Sequence, residues 1–188
     1  MITYRNWKER LAAASGVASS RVRYTRKSTE SGERQVSSHA QQREAIDQER
    51  GPIEDTWLWQ DSCTGTNFAR PSFEDLLEYC RANKRSKKDP GVVEMYDPSR
   101  FGRILDEDGA PDLFTFQAVF SEFERHGWQI YFVTVKRSGE ALPDMMTMAV
   151  YAYAAALYSA NLSIGIRSPR GPTGRPGRTD AHAERTRA

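Results

Sequence analysis

Strand-type and helix-type patterns alternate through the middle of the chain, and that alternation limits the fold more than any other feature. Residues 21–25 (RVRYT), 56–60 (TWLWQ), 91–96 (GVVEMY) and 128–134 (WQIYFVT) are short runs rich in β-branched and aromatic side chains. That composition suits a pleated, half-buried strand. Helical stretches lie between them. Residues 38–50 end at Gly51-Pro52, a pair that stops a helix. Residues 72–82 open on Ser72 as N-cap, with Glu74 and Asp75 in a first turn where the helix dipole favours acids. Residues 111–126 carry Asp112 in the first turn and stop at Gly127. A helix between successive strands is the connection that parallel neighbours need. The predicted fold class is α/β, a mainly parallel sheet of about four to five strands flanked by helices on both faces. A long C-terminal helix over 143–163, opened by Pro143, follows the last strand.

The 188 residues suit one domain with loose ends. The expected division is an N-terminal extension over 1–20, with a short amphipathic helix around 6–14, then a domain over 21–163. A basic tail over 164–188, rich in Arg, Pro, Gly and Thr, is too poor in apolar residues to order itself. A net charge of +2 is too mild to identify a nucleic-acid binder, because a balanced total can hide a basic face. Cys63 and Cys80 form neither a metal spacing nor a disulfide framework, which points to a reduced, intracellular setting. The three histidines, His39, His126 and His182, do not cluster with carboxylates at ligand spacing, so no metal and no cofactor are expected. Residues 145–162 are uncharged, but their Ala, Thr, Ser, Tyr and Asn161 content fits a helix buried in protein rather than a membrane span.

In an open parallel sheet the site lies outside the carboxyl ends of the strands. The loops after the first three strands are therefore where chemistry is expected. The first reads Tyr24-Thr25-Arg26-Lys27-Ser28, the second ends in Ala69-Arg70-Pro71, and the third reads Asp97-Pro98-Ser99-Arg100-Phe101-Gly102-Arg103. Taken singly, each has an ordinary reading: a serine-rich turn, a helix lead-in, a basic surface turn paired with Asp106 to Asp108. Taken together they bring Arg26, Arg70, Arg100 and Arg103 toward one serine. Guanidinium forks match phosphate oxygens, and several cations converging without carboxylates call for a polyanion.

These segments resemble the serine site-specific recombinases, the resolvase/invertase family. YTRKSTES is similar to the family's Y-x-R-x-S signature. DSCTGTNFARPSFEDLL resembles its stretch from an aspartate through serine-glycine and Arg-Pro to Leu-Leu, with Thr64 in place of the serine. YDPSRFGR resembles its arginine-rich third block in a longer version. Gln41 sits where the family has a glutamine in its first helix. The resemblance runs from about residue 21 to residue 163 and implies a resolvase-like catalytic domain. It implies Ser28 as the nucleophile. It implies Arg26, Arg70, Arg100 and Arg103 for phosphate binding, transition-state stabilisation and nucleophile activation. Gln41 and Asp97 are implied as supporting groups. The implied partners are DNA and further copies of the chain, as a homodimer and tetramer through the long helix, in the cytoplasm at the nucleoid.

In the implied reaction Ser28 attacks phosphorus in line and the 3′ oxygen leaves, giving a 5′-phosphoserine link that keeps the bond energy for rejoining. Arginines act as the fixed cations that metal ions supply elsewhere. None of the histidines falls in the three loops, so the residue types do not name a proton acceptor, and a cationic surrounding that lowers the serine pKa by favouring the alkoxide is expected rather than a Ser-His-Asp triad. The end of the long helix departs from the family, and residues 164–188 hold no zinc spacing and no helix-turn-helix pattern. Two other readings therefore stay open: a truncated, non-catalytic fragment that partners and regulates a relative, and a small α/β phosphoesterase.

Overall fold

The computed structural model describes residues 6–27, 38–63, 69–102, 105–108, 110–135, 146–151, 153–154 and 156–157. Four strands form one sheet: β1 (Arg21–Lys27), β2 (Leu58–Ser62), β3 (Gly91–Met95) and β4 (Trp128–Phe132). They lie in the order β2-β1-β3-β4, and every pairing is parallel. The named helices are α1 (Trp7–Ala13), α2 (His39–Arg50), α3 (Pro71–Ala82), α4 (Pro98–Phe101) and α5 (Leu113–Arg125). The predicted parallel α/β class is what the chain adopts.

The chain enters at β1, steps to β2, then crosses back over β1 to β3 and β4. Crossovers in a parallel sheet keep one hand, so this reversal places the helix before β2 on one face and those before β3 and β4 on the other. α2 alone packs on one face; α3 and α5 pack together on the other, with α1 against α3. The α3/α5 face is apolar. Val22, Tyr24, Trp59, Val93, Met95, Ile130 and Phe132 are all buried there with Phe73, Leu76 and Tyr79 of α3 and Phe116, Phe120 and Phe123 of α5. Edge-on ring contacts tie the layers, Phe73 to Tyr24 at 5.3 Å and to Phe123 at 5.9 Å, in the arrangement that ring quadrupoles favour.

The α2 face is held differently. α2 buries only Gln42 and Ile46. Its other attachments are ionic: Arg23 pairs with Asp47 of α2 at 2.5 Å and with Glu94 of β3 at 2.9 Å, and Glu94 also meets Arg21 at 2.8 Å and Arg50 at 3.3 Å. The Arg23 and Glu94 side chains are fully buried. Mutual pairing is what makes that burial tolerable.

Several boundaries differ from the sequence reading. β1 and β2 each run two residues further, to Lys27 and Ser62, because Arg26 pairs with Asp61 and Lys27 with Ser62. α3 starts at Pro71, not Ser72. Its N-cap position, Arg70, supplies no side-chain cap. The Asp61 carboxylate from β2 does so instead, accepting from Ser72 N at 3.1 Å and Phe73 N at 3.0 Å. Asp112 precedes α5 as its N-cap rather than lying in the first turn. The loop expected after β3 contains the single turn α4, capped by Asp97. Gly127 ends α5 with a φ of 78°, as its stop role requires. α1 lies on the domain: Arg10 stacks 4.3 Å over the Trp59 ring and donates to the Thr56 and Leu58 carbonyls beside β2. Residues 146–151, 153–154 and 156–157 are helical, with Met148 and Ala156 buried. The rest of the long helix, and the tail over 164–188, lie outside the described residues. Among the described residues no helix is long and apolar enough to cross a membrane.

Candidate active site at the carboxyl ends of the strands

The reversal of strand order lies between β1 and β3, and the crevice outside the carboxyl ends of such a pair is where α/β sheets bind ligands. Register pairing of β1 with β3 stops at Arg23 and Glu94. Beyond that point β1 continues without β3, and Gln42 of α2 takes the place of the missing strand. Its Oε1 accepts from Arg26 N at 3.3 Å and its Nε2 donates to Arg26 O at 2.9 Å. A side-chain amide thus satisfies a backbone edge that would otherwise be buried without partners.

Arg26, thus fixed, points to the apolar face and is 0% exposed. Its guanidinium donates to the carbonyls of Cys63, after β2, at 2.8 Å and Ser99, in α4, at 3.0 Å. Arg70 is also 0% exposed. It donates to Tyr24 Oη at 3.3 Å, to Arg100 O at 3.0 Å and to Phe101 O. The guanidinium lies 4.3 Å over the Phe73 ring. Arg100, with its side chain 11% exposed, donates to Arg26 O at 3.3 Å and pairs with Asp97 at 3.3 Å. Asp97 also accepts from Ser99 N at 2.8 Å, which fixes the start of α4. Three of the four predicted arginines therefore meet around α4. Ser28 and Arg103 lie outside the described residues.

Two expectations change here. The cations do not converge without carboxylates: Asp97 pairs with Arg100, and Asp61 accepts from Tyr24 Oη at 2.9 Å, next to Arg70. Gln41 does not support the site. It is exposed, and its Oε1 accepts from Ser38 N to complete a capping box at the start of α2. The glutamine that reaches the site is its neighbour Gln42. The signal was present in Ile46: on a helix, positions 42 and 46 share a face, and Ile46 is the large apolar residue of this stretch.

The sequence also passed over Tyr24 as a site group, Asp61 and His39. Burial raises the Tyr24 phenol far above its ordinary range, so it is a neutral donor to Asp61, while Arg70 opposes that shift. Burial lowers Arg70 from the usual guanidinium value, with Tyr24 and Asp61 opposing. His39 begins α2 and returns to the same pole, because a crossover helix runs against its strands. Its Nδ1 lies 2.8 Å from Thr25 Oγ1 and its Nε2 3.3 Å from Ser62 Oγ. Burial, then Lys27, lowers its pKa; Asp61 opposes and Arg100 adds to the lowering.

Such a centre holds guanidiniums rigidly at the strand ends, with Arg100 the most accessible of the three described. Comparison with known proteins bears on what it serves. The sequence matches the family described as "Resolvase, N terminal domain" over residues 21–169. Among solved structures it is similar to the N-terminal catalytic domain of TP901-1 integrase, at 12% identity over 76% of this chain and 98% of that one, with a TM-score of 0.46. It is also similar to the first ORF in transposon ISC1904 from Sulfolobus solfataricus P2, at 16% identity over 76% and 96%, TM-score 0.44. A serine recombinase from Sulfolobus solfataricus is similar at 20% identity over 80% and 89%, TM-score 0.41. No curated protein matches.

Proposed function

The chain belongs to the resolvase N-terminal domain family, and from that premise we propose that it is the catalytic domain of a site-specific DNA recombinase that cuts and rejoins DNA through a 5′-phosphoserine at Ser28. The observation that carries the reading is the meeting of Arg26, Arg70 and Arg100 at the reversal point of the sheet, on the motifs where the family places its arginines. Arg100 and Arg103 contact the scissile phosphate. Arg26 and Arg70, buried on backbone carbonyls, position α4 and hold positive potential behind it. Gln42 and Asp97 keep Arg26 and Arg100 in place. As Ser28 Oγ bonds to phosphorus the 3′ oxygen leaves, and the guanidiniums offset charge on the non-bridging oxygens. Loss of one such donor typically costs about 2.7–4 kcal/mol of barrier. The protein acts on DNA at the nucleoid.

A suicide substrate, nicked so that the cut cannot reverse, tests this. Wild-type protein is expected to form a covalent protein–DNA band, and Ser28→Ala to form none. A band that survives Ser28→Ala removes the nucleophile assignment; no band with either protein removes the recombinase reading.

The helical segment after β4 supports assembly with a second copy. Met146, Val150, Tyr151, Tyr153 and Leu157 are exposed, four of them (146, 150, 153 and 157) at spacings of four, three and four residues, while Met148 and Ala156 are buried. That is the seam spacing of paired helices. A homodimer, and a tetramer on paired sites, form through this face, and sedimentation as a monomer at high concentration refutes it. Full burial of Arg26 and Arg70 favours one second reading, a non-catalytic fragment in which these arginines only brace α4. Such a fragment dimerises but leaves no covalent band.

A further inference from the structure

The turn that joins α3 to β3 takes no part in the reading above, and it is dense in cations. From Arg81 to Asp89 it reads RANKRSKKD, five basic residues and one acid. Its backbone is clamped to the rest of the fold. Arg85 N donates to His126 O at 2.9 Å and Gly91 N to Gly127 O at 3.0 Å, which ties the turn to the end of α5. Arg85 turns inward: its Nη2 donates to Ala18 O at 3.0 Å, and its guanidinium lies 5.6 Å over the Trp128 ring. Trp128 Nε1 in turn donates to Asn83 O at 3.1 Å. Within the turn Asp89 N donates to Ser86 Oγ at 3.0 Å.

The cations divide into two sets. Arg85 braces the turn, and Arg81 pairs with Glu122 at 3.0 Å. Lys84, Lys87 and Lys88 are exposed, and among the described residues none of them has an ion pair or a hydrogen bond. Glu122 offers them nothing, because Arg125 and His126 share it with Arg81. Three ammonium groups carried on one fixed turn repel each other, and an anion relieves that repulsion. The residues among them are Asn83, Ser86, Asp89 and Pro90, with no large apolar side chain. Protein interfaces are depleted in Lys and Ser and need buried aromatic or arginine anchors. A lipid surface needs an apolar anchor beside the charges. A phosphodiester backbone needs only point charges, which displace its counterions. The turn enters β3 at its amino end, whereas α4 with Arg100 follows β3 at its carboxyl end. The five residues of β3, about 16 Å, separate the two. Duplex DNA is stiff over about 150 base pairs, so a segment lying across one pole does not fold back to the other.

Resting on the reading that the chain acts on DNA, we propose that Lys84, Lys87 and Lys88 form a second DNA contact, which holds the phosphate backbone of a duplex segment other than the one at the arginine pole. The contact is independent of sequence, because phosphate contacts position a duplex and carry no base information. The rigid backbone of the turn keeps the three charges together, and the flexible lysine stems let each follow a phosphate. A domain with duplex contacts at both poles bridges two segments.

The test measures binding of the full chain to a fluorescent duplex that carries no recombination site, by anisotropy, from about 50 to about 200 mM salt. Each neutralised phosphate adds about 0.9 to the slope of log affinity against log salt. The triple variant Lys84→Gln, Lys87→Gln, Lys88→Gln is expected to bind more weakly, with a slope shallower by about 2.7. Wild type then loses about fortyfold more affinity than the variant over that range. The three side chains are exposed and unpaired, so the fold is expected to be kept. The triple Lys→Arg variant, which keeps the charges, is expected to bind as wild type does. Acetylation of lysines, read by mass spectrometry, locates the contact: the duplex is expected to protect Lys84, Lys87 and Lys88 and to leave Lys8 of α1 as reactive as before. Equal slopes for wild type and the glutamine variant, or three lysines that stay reactive on DNA, overturn the proposal. Lysine-dependent binding to phosphatidylserine vesicles, or to a second copy of the chain, without protection by DNA overturns it as well. The glutamine variant is expected to form the covalent band on saturating suicide substrate. Lysine-dependent DNA binding by a wild-type protein that forms no such band overturns the recombinase chemistry and supports the second contact; a band without that dependence overturns the second contact alone.

Discussion

Replacing Asp61 by Ala tests whether one carboxylate joins the fold to the site. Its oxygens accept from Ser72 N and Phe73 N at the start of α3 and from the buried Tyr24 hydroxyl. α3 has no other side-chain cap, and losing one typically costs about 1 kcal/mol. The Tyr24 hydroxyl loses the acceptor for its proton, and a buried donor left without one costs about 1–3 kcal/mol. The expected loss of stability is about 3 kcal/mol by these two effects together. Tyr24→Phe alone removes that donor with its bond to Asp61, and takes from Arg70 Nη1 one of its two acceptors, so it should cost about 1–2 kcal/mol. In the double variant the Tyr24 hydroxyl proton is gone, and Arg70 Nη1 has lost the Tyr24 oxygen already in the Tyr24→Phe background while keeping the Arg100 carbonyl, so Asp61→Ala should cost about 1–2 kcal/mol less than in the wild-type background. Urea unfolding of the four proteins, followed by circular dichroism, measures the cycle. Strict additivity would show that Asp61 does not hold Tyr24, and a cost for Asp61→Ala below about 1 kcal/mol would show that it does not cap α3 either.

Gln42→Ala should destabilise the fold by about 2 kcal/mol or more, because the backbone N–H and C=O of Arg26 both lose a partner; Gln41→Ala, on the exposed capping box, should cost less than about 1 kcal/mol, and urea midpoints of the pair decide between them. Gly127→Ala should cost more than about 1 kcal/mol, since φ is strained for Ala and a Cβ would meet the Arg85 carbonyl oxygen at 2.1 Å; thermal unfolding measures it. Because the His39 pKa is lowered by folding, the unfolded chain binds the extra proton first. The stability this site contributes is therefore complete above the ordinary histidine value and is lost as pH falls below it toward the folded value. Melting temperature should drop over that window more in wild type than in His39→Gln, and equal drops would assign the loss to other groups.

Much of the fold was legible because its signals are local. β-branched and aromatic runs chose the strands. Gly51-Pro52 and Gly127 ended helices where a chain stop was written. The arginine-bearing segments stood at the strand ends, and the order of the motifs carried the family. What escaped was every relation set by partners far along the chain. Ser72 resembled a cap, but Asp61, eleven residues upstream and on a strand, does the capping. Asp97 and Arg26 each looked like site groups, yet that Arg26 clasps Ser99, 73 residues away, follows only from the crossing of β3 beside β1. The choice between Gln41 and Gln42 turned on which side of α2 meets the sheet, and Ile46 with the Arg23–Asp47 pair settled it. Propensity acts over a few residues and fixes which elements form. Burial and hydrogen-bond satisfaction act across the packed layers and fix which side chains those elements bring together. The sequence therefore determined a mainly parallel α/β sheet of about four to five strands with arginines at one pole, and only packing decided that four strands form it among the described residues and that Gln42, Asp61 and His39 lie at that pole.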